Sequence, residues 1–108
     1  MTYFDSLLSE IENGRFNANF KLVVICHLAN KDNLTETREN LAIQLSKMNV
    51  DKPHPYFMKH NTVFDVLCKR LGLIEKIDVS YRLAGKLNAD QVKEIRKACK
   101  SKMETFQN

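Results

Sequence analysis

The apolar positions of this chain fall first into a helical rhythm. Phe4, Leu7, Leu8 and Ile11 repeat at i, i+3, i+4 and i+7, which predicts a helix over residues 3–12, with Asp5 near its positive end. Leu22, Ile25, Cys26 and Ala29 repeat the spacing and predict a helix over 19–30, with Asn19 as a candidate cap. Val23, Val24 and Ile25 are β-branched and would suit a buried strand, but the length favours a helix buried on more than one side. Leu41, Leu45 and Met48, widened by Ala42 and Ile43, predict a third helix over 35–48, capped by Thr35 with Glu36 in its first turn. Asn49 to Asn61 holds Pro53 and Pro55 and reads as a loop. In it Lys52 and His54, each before a proline, should be extended. Phe64, Leu67, Cys68 and Leu71 then give one apolar face of a helix over 62–71, capped by Asn61 or Thr62. Gly72 stands where a helix end wants a left-handed residue.

After Gly72 the period changes from 3.6 to 2. Ile77, Val79, Tyr81 and Leu83 alternate within 73–84, which predicts two short strands turning near Asp78. Asn88 and Gln91 then form a capping-box pair at the start of a long helix over 89–106. Its buried stripe is Val92, Ile95, Cys99, Met103 and Phe106. Lys93, Arg96, Lys97, Lys100 and Lys102 cover much of the remainder.

Composition narrows the class. With 108 residues, 44% hydrophobic and 28% charged, the chain is one globular domain with enough residues for a core. No apolar run is long enough for a membrane span, and MTYFDSLLSEIE lacks the basic start of a signal peptide. Three scattered cysteines argue against a disulfide framework and for a reducing, cytoplasmic compartment. The net charge of +4 is unevenly spread. Residues 1–50 carry 5 Lys/Arg against 6 Asp/Glu, and residues 51–108 carry 12 against 7. A basic half raises the weight of a polyanionic partner, nucleic acid first, although Lys-rich helices are as often solvated faces.

Three helices followed directly by a hairpin, with Leu71-Gly72-Leu73-Ile74-Glu75 at the junction and Tyr81-Arg82-Leu83 in the second strand, resemble the winged helix-turn-helix family. In that family a recognition helix ends in such a segment and the hairpin is the wing. The resemblance covers residues 20–85. It implies a mainly α fold with a small antiparallel β-hairpin, here with extra N-terminal and C-terminal helices, in a single domain over 1–108. The stretch before the recognition helix, Asn49 to Asn61, is longer than the family's usual turn.

The resemblance also implies a double-stranded DNA partner, with helix 62–71 in the major groove and wing 73–84 on the backbone. A helix about 10 Å across fits a groove about 12 Å wide. The outward positions of that helix are Asn61, Thr62, Asp65, Lys69 and Arg70. Asn61, Thr62 and Arg70 are the candidates for reading bases. Lys59, Lys69, Lys76, Arg82 and Lys86 are the candidates for phosphates, with His60 close by. Asp65, Glu75 and Asp78 work against phosphate contact. Tyr56 and Phe57 either cover the core under the long loop or stack on an exposed base. Such a module is a regulator or the DNA-reading domain of a nuclease or restriction-type protein. The alternative is a protein interaction or dimerisation module on the same scaffold, in which the C-terminal helix pairs two copies.

Other chemistry finds little support. Cys26, Cys68 and Cys99 sit on apolar stripes and read as core. No Cys or His spacing suits a metal, and His27, His54 and His60 read as boundary or loop residues. No nucleophile motif, paired carboxylates or Gly-rich phosphate loop is present, so neither catalysis nor a cofactor nor a small-molecule ligand is expected.

Overall fold

The computed structural model describes residues 2–14, 20–48, 54–59 and 62–107; Asn19, Lys52, His60 and Asn61 lie outside them, as do the side chains of Met48 and Phe106. The helix α1 (Tyr3–Asn13) opens with a capping box: the Asp5 amide donates to Thr2 Oγ1 at 3.1 Å and the Thr2 amide to Asp5 Oδ2 at 3.3 Å. Leu7 and Ile11 of its stripe are fully buried. The next helix, α2 (Phe20–Ala29), is buried around most of its circumference, from Leu22 through Cys26 and again at Leu28 and Ala29. A helix that is apolar all round belongs in the middle of a core. Four other helices and the sheet lie against it.

The third helix begins later than its spacing suggests. Thr35–Thr37 form a strand, β1, and α3 covers Arg38–Met48. The cap is Thr37 rather than Thr35, its Oγ1 accepting from the Asn40 amide at 3.2 Å. Leu34, at φ 57°, turns the chain into β1. None of residues 35–37 belongs to the Leu41–Leu45 stripe, and β-branched Thr suits a strand once a partner is present. Glu36, expected in an exposed first turn, is thereby buried at 8% exposure.

The expected loop contains a further helix, α4 (His54–Lys59), packed against α3. His54 begins this helix instead of lying in extended backbone. Pro55 falls in the first turn, where its missing N–H has no intrahelical partner to lose. α5 (Thr62–Asp65) follows and runs without a break into a π-helical stretch, Val66–Arg70. There the Leu71 amide donates to Val66 O at 2.9 Å and the Leu73 amide to Leu67 O at 2.9 Å. Gly72 sits at φ 64° and closes the helix, as its position demands. The wider turn rotates the residues beyond it. Phe64 and Leu67 stay buried and Cys68 is half-buried, but Leu71, placed on the apolar face by its spacing, is 42% exposed.

The hairpin is β2 (Ile74–Ile77) and β3 (Ser80–Leu83), turning through Asp78 at φ 57°. It is part of a three-stranded antiparallel sheet of order β1-β3-β2, with Glu36 opposite Tyr81 and Lys76 opposite Tyr81 on the other side. Tyr81 and Leu83 are buried with Ile74. Ile77 and Val79 are exposed, because the turn between them breaks the alternation that seemed to place all four on one side.

The last helix, α6 (Ala89–Gln107), starts with the expected capping box: the Gln91 amide donates to Asn88 Oδ1 at 2.8 Å and the Asn88 amide to Gln91 Oε1 at 3.1 Å. Ile95 and Cys99 are fully buried within this same chain, against α1 and α2, while Val92 is half-buried and Met103 exposed. Two of its cations turn inward. Arg96 donates to Ala29 O at 2.6 Å and Lys31 O at 3.1 Å, and Lys102 donates to Glu12 O at 2.6 Å. Each thus meets the negative end of another helix. No helix among the described residues is long and apolar enough to cross a membrane.

Tyr3 joins α1 to the base of the hairpin. Its hydroxyl donates to Leu73 O at 2.6 Å and accepts from the Ala84 amide at 3.1 Å. A Cβ at Gly85 would overlap the Tyr3 ring, which these bonds hold in place. Gly85→Ala should therefore lower the unfolding free energy by about 1–3 kcal/mol, measurable by urea denaturation. An unchanged midpoint would show that Tyr3 moves aside freely.

Candidate nucleic-acid interface

The surface formed by α4, α5 and the hairpin carries most of the candidate residues. Thr62, Asp65, Lys69 and Arg70 are all exposed, as their spacing requires. Lys69 has 78% of its side chain exposed, and it makes a loose ion pair with Asp65 at 3.8 Å, one helical turn earlier. Such an exposed pair is worth only tenths of a kcal/mol, so it yields readily to a phosphate. Arg70 lies on another side of the helix. It lines a shallow pocket with Ser6, Ser9 and Glu10 of α1, together with Leu71 and Leu73.

On the hairpin, Arg82 and Glu75 face each other across β3 and β2 and form an ion pair on the solvent side. The positive charge expected there is thus largely matched. Lys76 stands on the opposite face of β2, at the mouth of a cleft of about 440 Å³ that Thr37, Arg38, Glu39, Met58, Asp78, Val79 and Tyr81 complete. Lys59, at the end of α4, and Lys86, between β3 and α6, are exposed. The structure therefore places Lys76 beside the start of α3, and Arg70 beside α1, in separate depressions.

The aromatic pair of the long segment is divided. Phe57 is 2% exposed and has no ring face to offer a base, so the stacking role does not hold for it. Tyr56 is half-buried and meets the Phe57 ring edge-on, with centroids 5.1 Å apart. Both cover the core, because α4 lays its apolar side on α3.

Sequence reasoning missed Arg38, the residue that ties this surface together. Its amide donates to Val79 O at 3.0 Å, its guanidinium to Met58 O at 3.0 Å, and it lies 5.2 Å over the Phe64 ring. Phe64 in turn stacks on Tyr81, with centroids 4.9 Å apart and planes 9° from parallel. One residue thus braces these elements, its main chain tying the start of α3 to the hairpin turn and its side chain reaching the end of α4 and α5. The only local signal was the Thr37-Arg38-Glu39-Asn40 cap, hidden by the earlier Thr35.

Behind it lies a second buried network. Glu36 Oε2 accepts from His27 Nε2 at 2.8 Å and Lys31 Nζ at 3.1 Å, while Oε1 accepts from Asn40 Nδ2 at 3.0 Å and the Thr37 amide at 2.9 Å. Burial would raise this carboxyl, but the four donors outweigh it and hold it down to about 2. Cys26 and Cys99 meet between α2 and α6. Their mutual hydrogen bond, together with burial, pushes the Cys26 thiol up, so it stays protonated and serves as core. Among the described residues no group of three or more His, Cys, Asp or Glu is placed to hold a metal. Comparison with protein-family models, curated proteins and solved structures finds no match.

Proposed function

We propose that this chain is a winged helix-turn-helix module that binds duplex DNA. In this reading the helix from Thr62 presents Thr62 and Lys69 to the major groove, and the hairpin lies on the backbone. The observation that carries it is the order helix, strand, helix, helix, helix, hairpin, from α2 through β1, α3, α4 and α5 to β2 and β3, with β1 paired on β3 and the Phe64–Tyr81 stack coupling the exposed helix to the hairpin. Coupled in this way, helix and wing present one fixed surface to a duplex. Lys59, Lys76 and Lys86 supply phosphate contacts around it. Arg70, on the α1 side, serves the backbone rather than a base edge.

The test is fluorescence anisotropy with a random duplex of about 20 base pairs, at about 50 and 200 mM salt. Micromolar binding at low salt, weakened tenfold or more at high salt, is the expected result. Lys69→Ala and Lys76→Ala should each weaken binding to unrelated duplexes about equally and lower the salt slope by about 1. Wild-type slopes in both variants would remove these lysines from the interface. A second reading, a protein interaction module, draws on Met58 and Val79 exposed around the cleft beside Lys76. Failure to bind any duplex at low salt would favour it.

A further inference from the structure

A different groove, away from the hairpin, opens where α2, α3 and α6 meet. It encloses about 280 Å³ and is lined by Val23, Cys26, His27, Asn30, Gln44, Lys47 and Met103. The volume falls just below the range that holds drug-sized ligands, so it suits a smaller molecule. Its walls are apolar at Val23, Cys26 and Met103. Among the described residues that line it there is no carboxylate, whereas Lys47 and His27 are basic and Asn30 and Gln44 carry amides.

The imidazole is fixed in this wall. His27 Nε2 donates to buried Glu36, so the ring serves as a wall of the groove and Lys47 carries its positive charge. The charge of Glu36 does not dominate the groove. Its four oxygen contacts already include Lys31, Asn40 and the Thr37 amide besides His27. An apolar trough with a basic rim matches a molecule that has an apolar body and one negative head. The wing cleft has no such preference, because Glu39 and Asp78 there balance Arg38 and Lys76.

We propose that this groove binds a medium-chain carboxylate, its alkyl chain against Val23 and Met103 and its head on Lys47 and the Gln44 amide. The site is independent of the nucleic-acid reading. The probe is sodium octanoate, titrated into the whole chain while the Val and Met methyl groups are followed by NMR, with octanol and octylamine as comparisons. The expected result is a saturable shift of the Val23 and Met103 methyls, with octanoate binding more tightly than octanol and octylamine most weakly. Lys47→Gln, at an exposed position, should weaken octanoate about threefold to fivefold and leave octanol unchanged. Equal affinity for octanol and octanoate would overturn the proposal. So would shifts centred on Met58 and Val79, or no saturable shift below the concentration at which octanoate forms micelles.

Discussion

Phe64→Ala should lower the unfolding free energy by about 3–5 kcal/mol, the usual loss for a fully buried aromatic. That is a large part of the 5–15 kcal/mol by which domains of this size are stable, so much of the variant should be unfolded at 37 °C. The cost has three parts. The ring fills the core between α5, α2 and the sheet, and a cavity remains when it goes. The stack on Tyr81 is lost, which typically contributes about 0.5–1.5 kcal/mol beyond burial. The Arg38 guanidinium loses the π-face beneath it while its bonds to α4 remain. Phe64→Leu keeps most of the volume and should lose distinctly less. Under the duplex-binding proposal, Phe64→Leu should also weaken binding while the fold persists, because the helix and hairpin lose their common anchor. Chemical denaturation checks the stability, and anisotropy on the folded Leu variant checks the coupling. An alanine variant as stable as the wild type would mean the core closes over the site.

The second large effect is acid sensitivity centred on Glu36. Its carboxyl lies near 4.5 when solvated and is held to about 2 in the fold. A carboxyl depressed on folding contributes stability that is fully present above its unfolded value and is lost as pH falls through the folded one. The loss therefore begins near pH 4.5 and is complete near pH 2. From the linkage relation it amounts to about 3 kcal/mol. Glu36→Gln should remove this dependence and cost about 2–3 kcal/mol at pH 7, since His27 and Lys31 would lose a charged acceptor. Melting temperatures from pH 7 down to pH 2 test both statements. Parallel curves for wild type and variant would show that other carboxylates control the acid transition.

These effects share a cause that bears on function. Both residues meet at Tyr81 of β3, which Glu36 faces in the sheet and on which Phe64 stacks, and both join separate elements: Glu36 links α2, β1 and α3, and Phe64 links α5 to β3. The exposed surface of α5 and the hairpin is held by this buried wiring rather than by its own contacts. Substitutions beneath the surface should then disturb any partner's binding as much as substitutions on it.

Much of the outline is legible from local pattern. The stripes of α1 and α6, the all-round apolarity of α2, the left-handed Gly72, the turn at Asp78 and the Asn88–Gln91 cap are each governed by neighbours within a few residues. The exposed set Thr62, Asp65, Lys69 and Arg70 was legible for the same reason, because helical spacing alone separates the faces. What these residues touch was not. Thr35–Thr37 is too short to form a strand by itself and becomes one because β3, far along the chain, supplies the ladder. The same pairing buries Glu36 and moves the helix start to Thr37. The π-helical turn sends Leu71 outward, through a hydrogen bond that spacing rules do not anticipate. Phe57 is buried because α4 meets α3. Arg96 and Lys102, indistinguishable in sequence from their solvated neighbours, find the carbonyl ends of α2 and α1. Local periodicity by itself determined the five helices α1, α2, α3, α5 and α6 and most of their apolar faces, since both depend on side chains a turn apart, but not α4, which lies in the proline-bearing segment read as a loop. Tertiary structure decided which cations remain for a partner, because their pairing depends on which elements come together.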